Sequence, residues 1–325
     1  MAGHEIGEDP VNTGAPVAAA RPGFSFELYP PRSPAAEQSL QLALAELVAA
    51  GPEFISVTYG ANGSSRGVSL SVLEHLIRNT SVPAMAHFTA VGTSLAEASS
   101  LVKEFLDSGV TRFLALRGDP PEGVPESELV LGDFGSASEL VQLIHRVQAE
   151  REPFLTHEIR GFPGAKRLGA GRKVTIAVAA FPNGHPNSSS RAQDIDTLLA
   201  KEAAGANLAI TQLFFHADEY LGFVDDARAA GVTMPILPGI MPVLSEKRLY
   251  RVLELTGEAM PVDLLEQLRA ADDPARAGIG HASRLAREVL AGGAPGIHLY
   301  TFNQSEAPLA VLADAGLLTT RETTA

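Results

Sequence analysis

Short apolar runs alternate with stretches of helical periodicity along most of the chain. Eight runs stand out: Phe24–Leu28, Phe54–Tyr59, Ala84–Thr89, Arg112–Arg117, Val174–Phe181, Leu208–Phe214, Ile236–Met241 and Ile297–Phe302. Each is nearly continuous in apolar character, as a parallel strand must be when helices cover one face and a core fills the other. The segments between them repeat at 3.6 residues. After Ser33 and Pro34, a cap and a first helical residue, Leu40, Ala43, Leu44, Leu47 and Val48 fall at i, i+3, i+4, i+7 and i+8. Ile195, Leu198 and Leu199 repeat the pattern before Gly205. Eight strands in βα repeats predict a closed (β/α)₈ TIM barrel, a single α/β domain over residues 23–318, rather than an open doubly wound sheet.

Three segments stand outside the repeat. Residues 1–22, rich in Gly, Ala, Pro and acid, read as a disordered N-terminal tail, and residues 319–325 as a flexible C-terminus. Residues 151–173 form a Gly-rich insertion carrying Arg151, Arg160, Lys166, Arg167, Arg172 and Lys173 against Glu152 and Glu158. It joins a helix to the next strand. That order puts its ends opposite the usual active-site face and favours a surface loop or subunit contact over a substrate lid.

Composition narrows the chemistry. The 25 basic and 38 acidic side chains leave a net charge of −13, which argues against sequence-independent nucleic-acid binding. Zero cysteine excludes disulfides, thiolate metal sites and a cysteine nucleophile. No His-Glu-x-x-His or carboxylate cluster suggests a metal. The absence of an apolar span or signal peptide implies a cytoplasmic protein with no membrane association.

The ends of the predicted strands are unusually polar, and in a barrel that is where chemistry sits. They bring Glu27, Thr58 and Tyr59, His87, Arg117-Gly118-Asp119, His185, Thr211-Gln212 and Asn303-Gln304 to one rim. Any one of them could be a helix cap or a satisfied core residue. Burying several without purpose would cost several kcal/mol each, so the set points to a site. Gly63-Ser-Ser65-Arg-Gly67 matches a nucleophile elbow, but its histidine candidates fit poorly, since His298 lies inside a strand and only His281 remains. Gly169-Ala-Gly171 precedes a strand and so fails as a dinucleotide fingerprint.

Six blocks, in order, resemble the methylenetetrahydrofolate reductase family. They are Phe24-Ser-Phe-Glu-Leu-Tyr-Pro-Pro, Ser56-Val-Thr-Tyr-Gly-Ala-Asn-Gly, Ala115-Leu-Arg-Gly-Asp-Pro-Pro, Ile210-Thr-Gln-Leu-Phe-Phe, Pro238-Gly-Ile-Met-Pro and Leu299-Tyr-Thr-Phe-Asn. The resemblance implies a bacterial-type catalytic barrel, with no length after residue 302 for the regulatory domain of eukaryotic relatives. It implies an oxidoreductase that takes hydride from NADH or NADPH through bound FAD and reduces 5,10-methylenetetrahydrofolate to 5-methyltetrahydrofolate in a ping-pong cycle. It further implies a homo-oligomer.

On the family pattern, Glu27 is the general acid, Asp119 stabilises the cationic folate, and Gln212 contacts folate and nicotinamide in turn. Burial among Phe24, Phe26 and Tyr29 would raise the Glu27 carboxyl toward the working pH. FAD contacts carry over to Thr58, Tyr59, Ala61, His87, Arg117, Gly118, Asp119, Ala137, Phe181, His185, Asp194 and Lys201. Four positions depart from the pattern around FAD: Phe181 and Ser136 where members have Tyr, and Thr197 and Ala200 where members often carry polar or basic contacts. Gln304 replaces an Arg used near the folate glutamate tail. Two alternatives therefore stay open: a flavin-free reductase working by direct hydride transfer, and a non-catalytic folate- or flavin-binding barrel.

Overall fold

The computed structural model describes residues 22–59, 66–89, 92–118, 132–151, 154–158, 166–170 and 174–318. The tail over residues 1–21, the C-terminus from 319, Ala61 and Asp119 lie outside the described residues, as do the side chains of Arg66 and of residues 152–173.

Eight parallel strands close into a barrel. Around it run β1 (Gly23–Leu28), β2 (Phe54–Val57), β3 (Ala84–Thr89), β4 (Arg112–Leu116), β7 (Thr175–Ala180), β8 (Leu208–Leu213), β9 (Ile236–Ile240) and β10 (Gly296–Tyr300), which pairs back onto β1. All eight predicted runs became barrel strands with ends within two residues of the expectation: β1 and β10 begin one residue earlier, Ala84–Thr89 is unchanged, and the other ends that differ are one or two residues shorter. Helices α1 (Pro34–Ala49), α2 (Arg66–Asn79), α3 (Leu95–Asp107), α4 (Ala137–Arg151), α5 (Arg191–Ala203), α6 (Ala217–Ala229) and α10 (Glu306–Asp314) follow their strands one for one. Ser33 caps α1 as predicted, its hydroxyl accepting from Ala36 N–H ahead of Pro34.

Two connections are more elaborate. The basic insertion, expected as a surface loop or subunit contact, contains an antiparallel hairpin of β5 (Phe154–Glu158) and β6 (Lys166–Ala170). Between β9 and β10 the chain forms three helices, α7 (Glu246–Thr256), α8 (Val262–Ala270) and α9 (Pro274–Ala291). The extra pair α7–α8 is held by its own apolar cluster, with Leu249, Val252, Leu264 and Leu268 packed on Phe215 and Val243.

Strand alternation sorts side chains into two layers. Phe24, Phe26, Leu28, Ile55, Val57, Ala86 and Phe88 point outward into the main core beneath the helices. Their neighbours point inward, where Phe54, Met85, Leu114, Ala177, Ile210 and Leu237 plug the barrel. Above that plug, toward the carboxyl ends of the strands, the inward positions turn polar.

Candidate active site

The register of β1 and β10 builds the polar layer. Ser25 pairs with His298 and Glu27 with Tyr300, and all four alternate inward. Ser56 on β2 lies opposite Glu27, and His87 stands two residues beyond the plug residue Met85 on β3. His298 is fully buried and stacks on Phe54 at 5.7 Å with its plane tilted 21°. Its Nδ1 lies 2.7 Å from Ser25 Oγ, which turns Nε2 toward Glu27 Oε2 at 3.8 Å. From the other side His87 Nε2 approaches the same carboxylate oxygen at 3.5 Å. The imidazole Nε2 atoms of both histidines and Ser56 Oγ are buried with no hydrogen-bond partner among the described residues. Buried polar atoms are rarely left so, and here they surround a carboxylate whose side chain keeps 21% exposure to the mouth.

Burial works to raise the Glu27 carboxyl, but His87 and His298 outweigh it and hold it below the ordinary 4.5. This overturns the expectation of a raised carboxyl. Phe24 and Phe26, the residues invoked for it, point to the opposite face of β1 and belong to the outer core. Burial pushes His87 below 6.5 despite the attraction of Glu27, so near neutral pH the site holds an anionic Glu27 beside a neutral His87. Tyr300 is held well above 10 by burial and by Glu27, and stays protonated.

Tyr300 reaches across β9 to donate to the Thr211 carbonyl on β8 at 2.8 Å. The crossing is open because β9 carries Gly239 there: a Cβ would lie 2.8 Å from both the Tyr300 ring edge and its hydroxyl. Thr211 Oγ1 accepts from Gly239 N–H at 2.9 Å, and the β8–β9 register slips between Ile210 and Leu213. In that irregularity Gln212 Oε1 accepts from Leu213 N–H at 2.9 Å.

A second cluster sits at the end of β7. Phe181 meets His185 edge-on at 4.7 Å, and Asp194, in the first turn of α5, accepts from His185 N–H at 3.3 Å and from the Ser188 hydroxyl. Lys201 lies two turns farther along the same helix. Helical side chains lean toward the N-terminus, which brings its ammonium up to the Ala179 carbonyl at 2.8 Å and to 6.0 Å from the Phe181 ring centre. Burial lowers Lys201 to about 8, with Asp194 opposing the fall.

The other predicted residues scatter along the same rim. Thr58 N–H bonds the Leu28 carbonyl at 2.8 Å, while the Tyr59 ring packs edge-on against Phe105 of α3 at 5.9 Å, on the helix side. Arg117 and Gly118 follow β4, with Gly118 in the left-handed region at φ +92°. Ala137 is buried at the start of α4, and Gln304 is exposed beyond β10. The discounted His281 lies on α9, with Nε2 3.0 Å from the Phe215 carbonyl oxygen. The sequence alone gives no role at this site to Ser25, to His298, weighed there only as a hydrolase histidine, or to Tyr300, seen there only as the start of a polar strand end. Their signal was a polar residue inside an apolar run, in phase with Glu27 once strand register is known.

The family model described as methylenetetrahydrofolate reductase matches residues 15–316. The chain is 30% identical over 318 residues to 5,10-methylenetetrahydrofolate reductase of Escherichia coli K12, covering 97% of each. It is 31% identical over 308 residues to methylenetetrahydrofolate reductase (NADH) 1 of Arabidopsis thaliana, covering 91% of this chain and 48% of that one. The chain therefore spans about half the length of the plant relatives it matches. Among solved structures, an uncharacterized Clostridium thermocellum protein that binds two copies of 5-methyl-5,6,7,8-tetrahydrofolic acid superposes with a TM-score of 0.59 at 13% identity. It covers 91% of this chain and 95% of its own, a likeness of fold. With the fold and the matches in agreement, the chain belongs to the methylenetetrahydrofolate reductase family.

Proposed function

We propose that the protein reduces 5,10-methylenetetrahydrofolate to 5-methyltetrahydrofolate, with hydride drawn from NADH or NADPH through bound FAD. The observation that carries this reading is Glu27 at the base of the mouth, between two imidazoles with unfilled Nε2 atoms. Opening the imidazolidine ring of the substrate needs a proton on the departing nitrogen, and Glu27 is the acid placed to give it. Without a ligand, Glu27 is ionised near neutral pH. A ligand lying across it removes the remaining water and lifts its proton affinity, so the acid is armed by substrate binding. Ser25 and Phe54 fix the His298 ring, and His298 with His87 holds the carboxylate in place. Gln212 presents its amide to whichever ring occupies the mouth, folate or nicotinamide, which suits ligands that take turns. Asp119 is assigned the stabilisation of the cationic folate.

The residues present suit FAD. Lys201 is a buried ammonium depressed to about 8, an environment that a diphosphate would relieve, and Arg117 adds a second cation at the rim of a chain with net charge −13. Thr58, Tyr59, Ala61, His87, Gly118, Asp119, Ala137, Phe181, His185 and Asp194 complete the proposed contacts. When bound, FAD would accept hydride from the nicotinamide and pass it to the folate carbon.

The test is the visible spectrum of the purified protein. Flavin absorbance bleached anaerobically by NADH or NADPH and restored by methylenetetrahydrofolate supports the proposal. Colourless protein that still oxidises NADH with methylenetetrahydrofolate would replace it with direct hydride transfer. Folate binding with neither bleaching nor turnover would leave only a binding barrel.

A further inference from the structure

We propose that Arg248, whose guanidinium sits over the Phe302 ring at the rim, is the seat for a carboxylate on the substrate's tail. This rests on the reading that the mouth takes a folate, whose pterin is carried on a p-aminobenzoyl-glutamate chain. Arg248 is the third residue of α7 and is partly buried. Its guanidinium carbon stands 4.1 Å from the Phe302 ring centre. Among the described residues its side chain makes no ion pair and no hydrogen bond. The acid nearest to it in sequence, Glu246, is committed to Arg269. Contact with the ring covers one side of the guanidinium and uses none of its N–H groups, the fork that grips a carboxylate through two parallel hydrogen bonds.

The platform under Arg248 is itself rigidly built. Phe302 and Asn303 have φ values of +52° and +58°, a region that costs a non-glycine residue energy and needs support. Support comes from the residue just past β1: Tyr29 N–H donates to Asn303 Oδ1 at 3.0 Å, Asn303 Nδ2 donates to the Tyr29 carbonyl at 2.8 Å, and the Tyr29 hydroxyl donates to the Phe302 carbonyl at 3.2 Å. The clamp begins two residues beyond Glu27 on one strand and two beyond Tyr300 on the other. The cation is thereby tied to the same two strand ends that carry the polar layer. The exposed Gln304, two residues past Phe302, brings no charge of its own to this edge.

The test compares wild type, Arg248→Ala and Arg248→Lys in equilibrium titrations with 5-methyltetrahydrofolate and with its tail-less analogue 5-methyltetrahydropteroate. KM values for NADH and thermal melts are recorded alongside. Wild type should bind the glutamylated ligand roughly ten- to hundredfold more tightly, the range for a charge-assisted bidentate contact. Arg248→Ala should collapse that preference to near one, and Arg248→Lys, which keeps the charge but not the planar fork, should retain part of it. An unchanged preference in Arg248→Ala, or a loss falling on NADH KM instead, overturns the assignment. Should the alanine variant melt early, the lysine variant carries the comparison, and a preference identical to wild type then counts against it. Wild type that binds neither ligand would refute the folate reading itself, and the inference with it.

Discussion

Replacing Glu27 by glutamine removes one proton donor while keeping the shape of the side chain. Its effect should separate the two halves of the proposed cycle. General acids at such positions contribute about 10²–10⁴-fold, or roughly 3–5 kcal/mol of barrier at about 1.4 kcal/mol per decade. The structure argues for the upper part of that range. The nearest titratable groups are His87 at 3.5 Å and His298 at 3.8 Å, and burial holds His87 below 6.5, so it carries no ready proton at neutral pH. Anaerobic stopped-flow gives the assay: NADH-driven bleaching of the flavin for one half-reaction, reoxidation by methylenetetrahydrofolate for the other. The expected result is a reoxidation rate lowered about 10³-fold or more with bleaching nearly unchanged. Equal losses in both, or reoxidation within tenfold of wild type, would refute the acid role. An independent check comes from stability. A carboxyl held below 4.5 in the fold contributes stability above its unfolded value and loses it as the pH falls through the folded one. The melting-temperature difference between wild type and Glu27→Gln should therefore shift against wild type on acidification below about 4.5, and a difference independent of pH would contradict the imidazole–carboxylate arrangement.

Gly239→Ala would place a Cβ 2.3 Å from the Thr211 carbonyl oxygen and 2.8 Å from Tyr300, costing about 1–3 kcal/mol of overpacking. A melting temperature lower by roughly 2–10 °C is expected, together with slower folate reduction as Tyr300 is displaced. Lys201→Met removes an ammonium that is protonated below 10.5 when unfolded but only below about 8 when folded. The unfolded chain then binds more protons between those values, so wild-type stability should gain on the variant from pH 8 to 10.5 by up to about 3 kcal/mol, with a flat difference counting against the buried ammonium. The same variant should lose flavin at least tenfold more readily on dilution, measured by fluorescence of the released cofactor. Phe54→Ala empties the barrel plug and unstacks His298, so about 3–5 kcal/mol of stability should be lost in chemical denaturation.

Most of the architecture was legible along the chain. Apolar runs of strand length, separated by 3.6-residue patterning and capped as at Ser33-Pro34, leave few ways to bury both kinds of surface, and eight of them close a barrel. Local rules also put Glu27, His87, Gln212 and Lys201 near strand ends or helix faces. The hairpin within 151–173 and the helices α7 and α8 were not foreseen. Their registers depend on which surface they meet, and that is a property of the closed barrel. Tertiary structure alone decided the chemistry around Glu27. Residues 25, 27, 298 and 300 converge only because β10 closes onto β1 in one register, across more than 270 positions of sequence. From the run Phe24-Ser-Phe-Glu27 one expects aromatic surroundings and a raised carboxyl. Strand alternation turns those rings away, and barrel closure substitutes two imidazoles. Sequence neighbours in a strand face opposite sides, so the environment of a strand residue is set by its partners in space, and those are chosen by the fold.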